Sequence, residues 1–310
     1  MLRYTVKRLI QGVITVWFIA TATFIAMHQV PGDPLLTDKA VPAAIRKNLE
    51  EKYGLDRPVL DQYFIFMGNM LRGDFGISFT QENRRVNDII FEHFPVSAVL
   101  GVLALVFAAV GGILFGALTA LFRNRLPDIV IMFLVILGIS VPSFVVAALG
   151  QLLIVNVNDL VGASLLPVAG WGSLSHMIMP ALVLGLGTMA FLTRLMRSSM
   201  LEIVHCDYVR TAKAKGLSPG RVFVRHQLRN AILPVITVLG PAIAAITTGG
   251  FVVELVFAIP GLGRYFVQAV QQLDYTVIMG TTVFYGAFLV FMVIVVDLLY
   301  GFVDPRVRLE

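Results

Sequence analysis

Long apolar stretches, separated by shorter polar segments, run along most of the chain. Six of them reach or approach the roughly 20 residues that a helix needs to cross a bilayer core about 30 Å thick. Lipid offers the backbone no hydrogen-bond partners, so each stretch is predicted to be a transmembrane helix. The six predicted spans are Leu9–Val30, Val96–Phe122, Asp128–Val155, His176–Thr193, Ile232–Phe257 and Val277–Phe302.

The composition excludes an ordinary soluble domain. Hydrophobic residues make up 57% of the 310 residues and charged residues 14%, well below the roughly 25% charged residues of soluble domains. We therefore predict an all-α integral membrane protein with six transmembrane helices. Most basic residues lie in short loops between apolar runs, so nucleic acid is not an expected partner. The single cysteine, Cys206, excludes an internal disulfide bond and a multi-cysteine metal site.

Signatures of catalysis are missing from the sequence. It has no phosphate-binding loop of the Gly-x4-Gly-Lys-Ser/Thr type, no His-Glu-x-x-His pair and no Gly-x-Ser-x-Gly turn. The chain is therefore predicted to be non-catalytic and to bind no metal or cofactor itself. Energy for any transport against a gradient must come from elsewhere.

Lys and Arg residues set the predicted orientation. Of the 24 in the chain, 15 lie at the amino terminus, in the second–third and fourth–fifth loops and in the C-terminal tail. The positive-inside rule assigns these segments, and so both termini, to the cytoplasm. A cleaved signal peptide is the alternative for the first span, but its apolar run continues to Met27 and is longer than a usual signal core.

The spans divide the chain into three parts. Residues 1–30 form the cytoplasmic amino terminus and first span, 31–95 an extracytoplasmic cap, and 96–310 a core that includes the cytoplasmic loop 194–230. Ala43–Tyr53 and Leu60–Leu71 are predicted as amphipathic helices of the cap. The second helix has an apolar stripe that we expect to pack within the cap or to dock a partner: Tyr63, Phe64, Phe66, Met67 and Met70.

The loop 194–230 carries eight basic and two acidic residues. Ser198–Lys215 has no Pro or Gly, so an uninterrupted helix is predicted, ending at Gly216. Ser218-Pro-Gly220 then turns the chain into a second helix from Arg221. This helical hairpin is either a basic surface held by anionic lipid or a docking site for a cytoplasmic partner.

Few ionisable residues fall inside the apolar runs. Glu254 and Asp297 do, and Arg194 and Arg197, three residues apart on one helix face, reach a depth at which they could pair with Asp297. We interpret all four as members of structural ion pairs rather than as ion-coupling sites. Helix bends are expected within the spans at Pro142, Pro241, Gly249 and Gly250. These bends serve either as hinges or as tolerated kinks.

The loop also carries a recognisable pattern. Asp207-Tyr-Val-Arg-Thr-Ala-Lys-Ala-Lys-Gly216 resembles the Glu-Ala-Ala-x3-Gly coupling loop of ABC-importer permeases, with Arg210 and Thr211 in place of Glu and Ala. Gly216 and Pro234 are 18 residues apart, five more than is common. Both departures are typical of the peptide and nickel branch of that family.

Further segments share this resemblance along the whole chain. They are Pro31-Gly-Asp-Pro34, Tyr53-Gly-Leu-Asp-Arg-Pro58, Gly73-Asp-Phe-Gly-Ile-Ser78, Pro260-Gly-Leu-Gly263, Asp274-Tyr275 and Asp304-Pro-Arg306. Two others, Phe94-Pro-Val-Ser97 and Val141-Pro-Ser-Phe-Val-Val146, look most like the B-type permeases of oligopeptide importers.

The resemblance implies a type I ABC-importer permease fold in the bacterial inner membrane. It implies pairing with a C-type permease, two cytoplasmic ATPase subunits that hold ATP and Mg²⁺, and an extracytoplasmic peptide-binding protein. Small Ala212 and Ala214 would let the coupling helix approach an ATPase groove, unless they only ease packing within the chain. The residues assigned to coupling are Asp207, Arg210, Thr211, Ala212, Lys213, Ala214, Lys215 and Gly216.

Three alternatives remain open at this point. The same mechanism is compatible with dipeptides, nickel or another small solute as cargo. A secondary carrier driven by an ion gradient is weakly supported, because clear mid-membrane coupling groups are scarce. A membrane enzyme is disfavoured by the missing catalytic groups.

Overall fold

A computed structural model describes residues 2–30, 54–81, 83–248 and 250–303, apart from the side chains of 2–4, 244, 248 and 297–303. Within these ranges the chain is helical, with short turns and one isolated bridge between Ile77 and Arg85. The predicted helix Ala43–Tyr53, the turn at Pro31–Pro34, Gly249 and the closing Asp304-Pro-Arg306 lie outside the described residues.

The described ranges contain thirteen α-helices and one π-helical segment, Phe223–Leu228. In chain order the α-helices are α1 (Leu2–Gln29), α2 (Val59–Leu71), α3 (Val86–Leu121), α4 (Leu126–Ser140), α5 (Ser143–Val161), α6 (Leu174–Ile203), α7 (Asp207–Ala214), α8 (Pro219–Val222), α9 (Arg229–Ala231), α10 (Leu233–Thr248), α11 (Phe251–Val256), α12 (Leu262–Gln272) and α13 (Tyr275–Val303).

Five helices, α1, α3, α5, α6 and α13, are long and apolar enough to cross a membrane. A sixth span is obtained if the bent pair Pro219–Ala231 and Leu233–Thr247, which meet at 43°, counts as one. Pro234 lies just after this bend, and its ring and missing N–H explain why the helix does not continue straight. The prediction of an all-α membrane protein is confirmed, and the predicted six spans agree with the described helices when the bent pair counts as one span.

The third predicted span, Asp128–Val155, is wrong as a single helix. The chain breaks after the 15-residue α4 and starts again with the 19-residue α5, which continues to Val161. Val141 is extended, with φ −86° and ψ 126°, because the ring of Pro142 disfavours the helical conformation in the residue before it. Pro142 was predicted to bend the helix, whereas it ends one helix and begins the next.

The contacts divide the chain into two compact units, and the first comprises Met1–Val96 and Pro260–Glu310. Here α1 packs along α13, and glycine allows the close approach: a Cβ on Gly286 would lie 2.8 Å from Ile19 Cδ1. Tyr63 and Phe66 of α2 pack on Phe24 of α1, with ring centroids 5.4 and 5.8 Å apart. The predicted helix Leu60–Leu71 is confirmed by α2, and its stripe is partly used for internal packing, while its place in an extracytoplasmic cap stays a prediction.

The second unit, Ser97–Ile259, contains most of α3 and all of α4–α11. Small residues let α6 approach α3. A Cβ on Gly112 would lie 2.5 Å from Leu192 Cβ, and one on Gly116 would lie 2.6 Å from the carbonyl oxygen of Thr193. Such small-xxx-small spacing is how membrane helices gain close packing where lipid removes the hydrophobic driving force. The predicted division into 1–30, 31–95 and 96–310 follows membrane topology and stays a prediction.

Candidate functional site

The segment between α6 and α10 contains the predicted coupling residues. Its central helix, α7, has one apolar face, where Val209 and Ala212 are buried against Val222 of α8. Ile203 and Leu217 pack at the edge of this cluster. The cluster fixes α7 to the chain on one side and leaves its other side to solvent.

The opposite face of α7 is exposed and mostly basic. Asp207 and Arg210 approach to 3.7 Å, but both side chains are largely solvated, so this pair contributes little stability. The cations are therefore available to carboxylates of another molecule. Seven of the eight predicted coupling residues are exposed: Asp207, Arg210, Thr211, Lys213, Ala214, Lys215 and Gly216.

Ala212 is the exception, because it is only 4% exposed. Its small side chain packs inside the chain beside Val209 and Val222. The expectation that Ala212 eases approach to a partner groove is wrong for this residue, and the other interpretation, internal packing, describes it. Ala214 is exposed, and its approach to a partner groove stays a prediction.

The end of α7 is fixed by Gly216. The Leu217 N–H donates to the carbonyl of Ala212 at 3.4 Å, and the Gly216 N–H donates to that of Lys213 at 3.0 Å. This pair of bonds is a Schellman motif, which requires a left-handed residue that glycine supplies without strain. Gly216 has φ +75°, so the predicted stop is confirmed.

The prediction of one uninterrupted helix over Ser198–Lys215 is wrong. α6 ends at Ile203, and Val204–Cys206 forms a tight turn in which the Cys206 N–H donates to the carbonyl of Ile203 at 3.0 Å. Cys206 is extended, with ψ 146°, so α7 starts in a new direction. The break occurs without Pro or Gly, because it brings Val209 and Ala212 onto Val222.

Packing ties the segment to the long helices. Met196 and Met200 of α6 form a buried cluster with Ala231 and Val235, at the junction of α9 and α10. Asn230 donates from Nδ2 to the Tyr208 hydroxyl at 3.3 Å, which joins α9 to α7. These contacts join the segment to α6 and α10, both of which belong to candidate membrane spans.

Arg197 forms a bidentate ion pair, and its partner is Asp128 at the start of α4. Nε donates to Oδ1 and Nη2 to Oδ2, each at 2.9 Å. The Asn124 N–H also donates to Asp128, at 2.9 Å, so the buried carboxylate has the several partners that burial of a charge requires. Sequence reasoning named Arg197 but missed Asp128, whose signal was a lone acid between basic residues and an apolar run.

The other ionisable candidates are only partly described. Glu254 is 2% exposed on α11, as a structural role requires. Asp297 lies in α13, but its side chain is outside the described residues, so the suggested pairing with Asp297 stays a prediction. Arg194 is exposed on α6.

The hinge candidates differ from one another in structure. Pro142 stands at the α4–α5 break. Pro241 lies inside α10, which continues through it. Gly250 is buried at the start of α11, where an added Cβ would lie 3.3 Å from Glu254 Oε1. Gly249 lies outside the described residues, and hinge motion at any of the four stays a prediction.

A polar site in the first unit joins two segments of the sequence, Gly73–Ser78 and Asp274-Tyr275. Both resemble the family, but neither was assigned a role from the sequence. Asp274 is 1% exposed and precedes α13, where it accepts from the Val277 N–H at 3.2 Å. It also accepts from Ser78 Oγ and, at 3.2 Å, from the Phe79 and Thr80 N–H groups. We call residues 73–80 with Asp274 the Asp274 clip.

The described contacts of Asp274 are to backbone N–H groups and hydroxyls, as is typical of a carboxylate that holds a loop in place. Gly73 and Gly76 have φ +73° and +85°, which explains glycine in the loop that reaches Asp274. In the sequence, Gly73–Ser78 and Asp274-Tyr275 were noted only as two separate segments that resemble the family. Nothing in either segment indicates that the two meet.

Comparison with known proteins gives two family matches. Residues 1–101 match the family described as "Binding-prot-dependent transport system membrane comp, N-term", and residues 112–309 match "Binding-protein-dependent transport system inner membrane component".

Curated relatives cover the full chain. It is 46% identical to the dipeptide transport system permease protein DppB of Bacillus subtilis over 311 residues, which is 100% of this chain and 99% of the relative. It is 40% identical to the oligopeptide transport system permease protein OppB of Haemophilus influenzae, over 99% of this chain and 100% of the relative. The Lactococcus lactis DppB is 42% identical over the whole of both chains.

Solved structures give the fold. The MetNI methionine ABC transporter in an inward-facing conformation matches with TM-score 0.52 and 19% identity, over 71% of this chain and 95% of that chain. An amino acid ABC transporter with histidines matches with TM-score 0.52 and 16% identity, over 69% and 93%. At these identities the likeness concerns the fold alone, and it agrees with the expected type I permease architecture.

Proposed function

Because this chain belongs to the family of inner membrane components of binding-protein-dependent transport systems, we propose that it forms half of the translocation path of an ATP-driven peptide importer. Oligopeptides are the main proposed cargo. The chain itself is a non-catalytic subunit of the bacterial inner membrane, with both termini in the cytoplasm.

The observation that carries this proposal is the construction of α7. One face is buried against α8, while the other presents Arg210, Lys213 and Lys215 to solvent. A helix that is fixed on one side and basic on the other is suited to insertion into an acidic groove. Its contacts with α8, with Ile203 of α6 and with Asn230 of α9 give a route by which a push on α7 moves the spans.

The partners follow from this role. We propose a second, C-type permease as the other half of the path, two cytoplasmic ATPase subunits beneath α7, and an extracytoplasmic peptide-binding protein. ATP and Mg²⁺ belong to the ATPase subunits. In this chain α7 receives the movement of the ATPase subunits, and the packed junction of α6, α9 and α10 transmits it to the transmembrane helices.

A second candidate cargo is dipeptides. Two of the similar relatives, at 46% and 42% identity, are named dipeptide permeases, against 40% for the Haemophilus oligopeptide permease. Uptake assays with peptides of different length distinguish the two candidate cargoes. Uptake of tri- to pentapeptides supports the main proposal, and uptake restricted to dipeptides supports the second.

The test is a pull-down of tagged chain in mild detergent, followed by identification of the co-purifying chains and by an ATPase assay. We expect a second permease and nucleotide-binding subunits, with ATP-dependent peptide uptake once the complex is placed in liposomes with its binding protein. A lone chain that moves solute under an ion gradient contradicts the proposal and favours a secondary carrier.

A further inference from the structure

An apolar cleft opens in the second unit beside the break between α4 and α5. Its volume is about 420 Å³, and every residue that lines it is apolar. Four helices contribute to its wall, α3, α4, α5 and α6, through residues that include Phe115, Leu134, Val135, Gly138, Leu149 and Leu186. Val141, the extended residue between α4 and α5, is itself one of the lining residues.

The register of α4 and α6 places a cation, Arg194, beside the lining residues at one end of this cleft. The pair between Asp128 and Arg197 places these two residues at the same level of α4 and α6. Arg194 precedes Arg197 by three residues, which is about 4.5 Å of helix, and therefore lies near the level of Ile131, a lining residue. Further along, Gly138 lies next to Leu186 and Ala190, so the two helices run antiparallel and Arg194 shares a face with Ala190.

The position of Arg194 is costly without a counter-charge. It belongs to α6, one of the helices apolar enough to span a membrane, and a charge in such a helix is expensive unless it is paired. Asp128, the acid at this level of α4, is bound to Arg197. Among the described side chains no acid pairs with the exposed Arg194, and Asp297, whose side chain is not described, is the alternative partner. Arg123 and Arg125, exposed in the turn before α4, add positive charge at the same end.

From this arrangement we propose that the cleft and Arg194 form a binding site for one anionic phospholipid. An acyl chain occupies the cleft, and the phosphate accepts hydrogen bonds from the Arg194 guanidinium. Basic residues beside a gap between transmembrane helices are suited to such head groups. The long Arg side chain can extend from the helix toward the head-group level.

Two other occupants fit the cleft less well. A peptide carries an N–H and a carbonyl at nearly every residue, and burying them against a wholly apolar wall leaves them without partners. A transmembrane helix of a partner is about 10 Å across, so three turns fill on the order of 1,200 Å³, well above the volume of the cleft. Hydrocarbon of one chain meets neither objection.

The experiment is a lipid titration read by native mass spectrometry. The full chain, with the subunits that co-purify with it, is delipidated in mild detergent and offered equal amounts of phosphatidylglycerol and phosphatidylcholine. We expect one phosphatidylglycerol to be retained, preferred about fivefold over phosphatidylcholine, as one cation near an anionic head group supplies.

Matched variants locate the site. Arg194→Gln removes the preference, Arg194→Lys retains most of it, and Gly138→Leu, which fills the cleft, reduces retention of either lipid. Lys7→Gln removes an exposed cation of α1 and leaves retention unchanged. Elution volume and melting temperature of each variant show that it is folded.

Two results overturn the proposal. One is equal retention of phosphatidylglycerol by the wild-type chain and by folded Arg194→Gln, which means that the lipid is bound elsewhere. The other is capture of a second polypeptide, rather than of lipid, by a photo-crosslinking residue in place of Leu134, which means that a partner subunit covers the cleft.

Discussion

The Asp274 clip and the α7 segment are fixed by opposite means. In the clip, one buried carboxylate gathers hydrogen bonds from Ser78, Thr80 and the start of α13. In the α7 segment, the attachment is apolar: Val209, Ala212 and Val222 are buried together. Hydrogen bonds fix direction and distance, whereas apolar contacts fix only proximity.

The difference suggests what each region is built to do. The clip fixes a loop to a helix end in one geometry, and losing its carboxylate leaves several donors unsatisfied at once. The α7 segment keeps its polar groups on the outside, so its charges can be exchanged for a partner's without disturbing its packing. We therefore expect substitutions in the clip to reduce stability, and substitutions on the outer face of α7 to reduce coupling.

The largest effect on stability is expected from Asp274→Ala. It removes the acceptor for buried donors on Ser78, Thr80 and Val277, each of which costs energy when left unpaired, so a loss of about 3 kcal/mol is predicted. Thermal unfolding in detergent measures it. The matched control is Asp61→Ala, an exposed acid of α2, for which a change within about 0.5 kcal/mol is expected. Equal melting temperatures for the two variants contradict the role of the clip.

Gly216→Val is expected to have an intermediate effect on stability and a large one on transport. A β-branched residue at φ +75° costs about 2 kcal/mol and distorts the end of α7. ATP-dependent peptide uptake is then lost, while Gly216→Asn, which tolerates this conformation, retains most of it. Gly220→Val is the control, because Gly220 has an ordinary φ and open space around it. Normal uptake by Gly216→Val argues against a fixed helix end.

Arg210→Ala is expected to change stability least. Its contact with Asp207 is solvated on both sides, so the free energy of unfolding moves by less than about 0.5 kcal/mol. The yield of co-purified ATPase subunits falls at low salt, and the difference from the wild-type chain narrows at high salt, because salt screens the contribution of an exposed cation. If Arg210→Ala lowers the melting temperature but leaves the co-purification of ATPase subunits unchanged, Arg210 has a structural role and not a docking role.

Much of the fold can be predicted from the periodicity and length of the apolar runs. The predictions that were wrong failed for physical reasons. Apolar runs located α1, α3, α6 and α13, since lipid forces such runs to be helical, but α3 begins at Val86 rather than Val96 and α6 continues past Thr193 to Ile203. Val141 was placed inside a span because a proline was taken as a bend, although the residue before proline disfavours the helix altogether. The break at Val204–Cys206 has no local signal, because tertiary burial of Val209 and Ala212 decides it.

The sequence predicted several individual residues of the site, but not which residues contact each other. The basic face of α7 and the stop at Gly216 can be derived from residue type alone. Asp128 and Arg197 are 69 residues apart, and Ser78 and Asp274 are 196 apart, so no local pattern joins them. Which helices become neighbours depends on shape, such as the close approach that Gly112 and Gly116 permit.

The most direct test of the central claim is co-purification of ATPase subunits with Ala214→Trp. Ala214 is exposed on α7, so a bulky side chain there blocks docking without entering the core. The control is Ala163→Trp, at an exposed turn after α5. The account predicts that Ala214→Trp folds and inserts normally but loses the ATPase subunits, while Ala163→Trp keeps them. Retention of the ATPase subunits at wild-type yield by folded Ala214→Trp contradicts docking through α7.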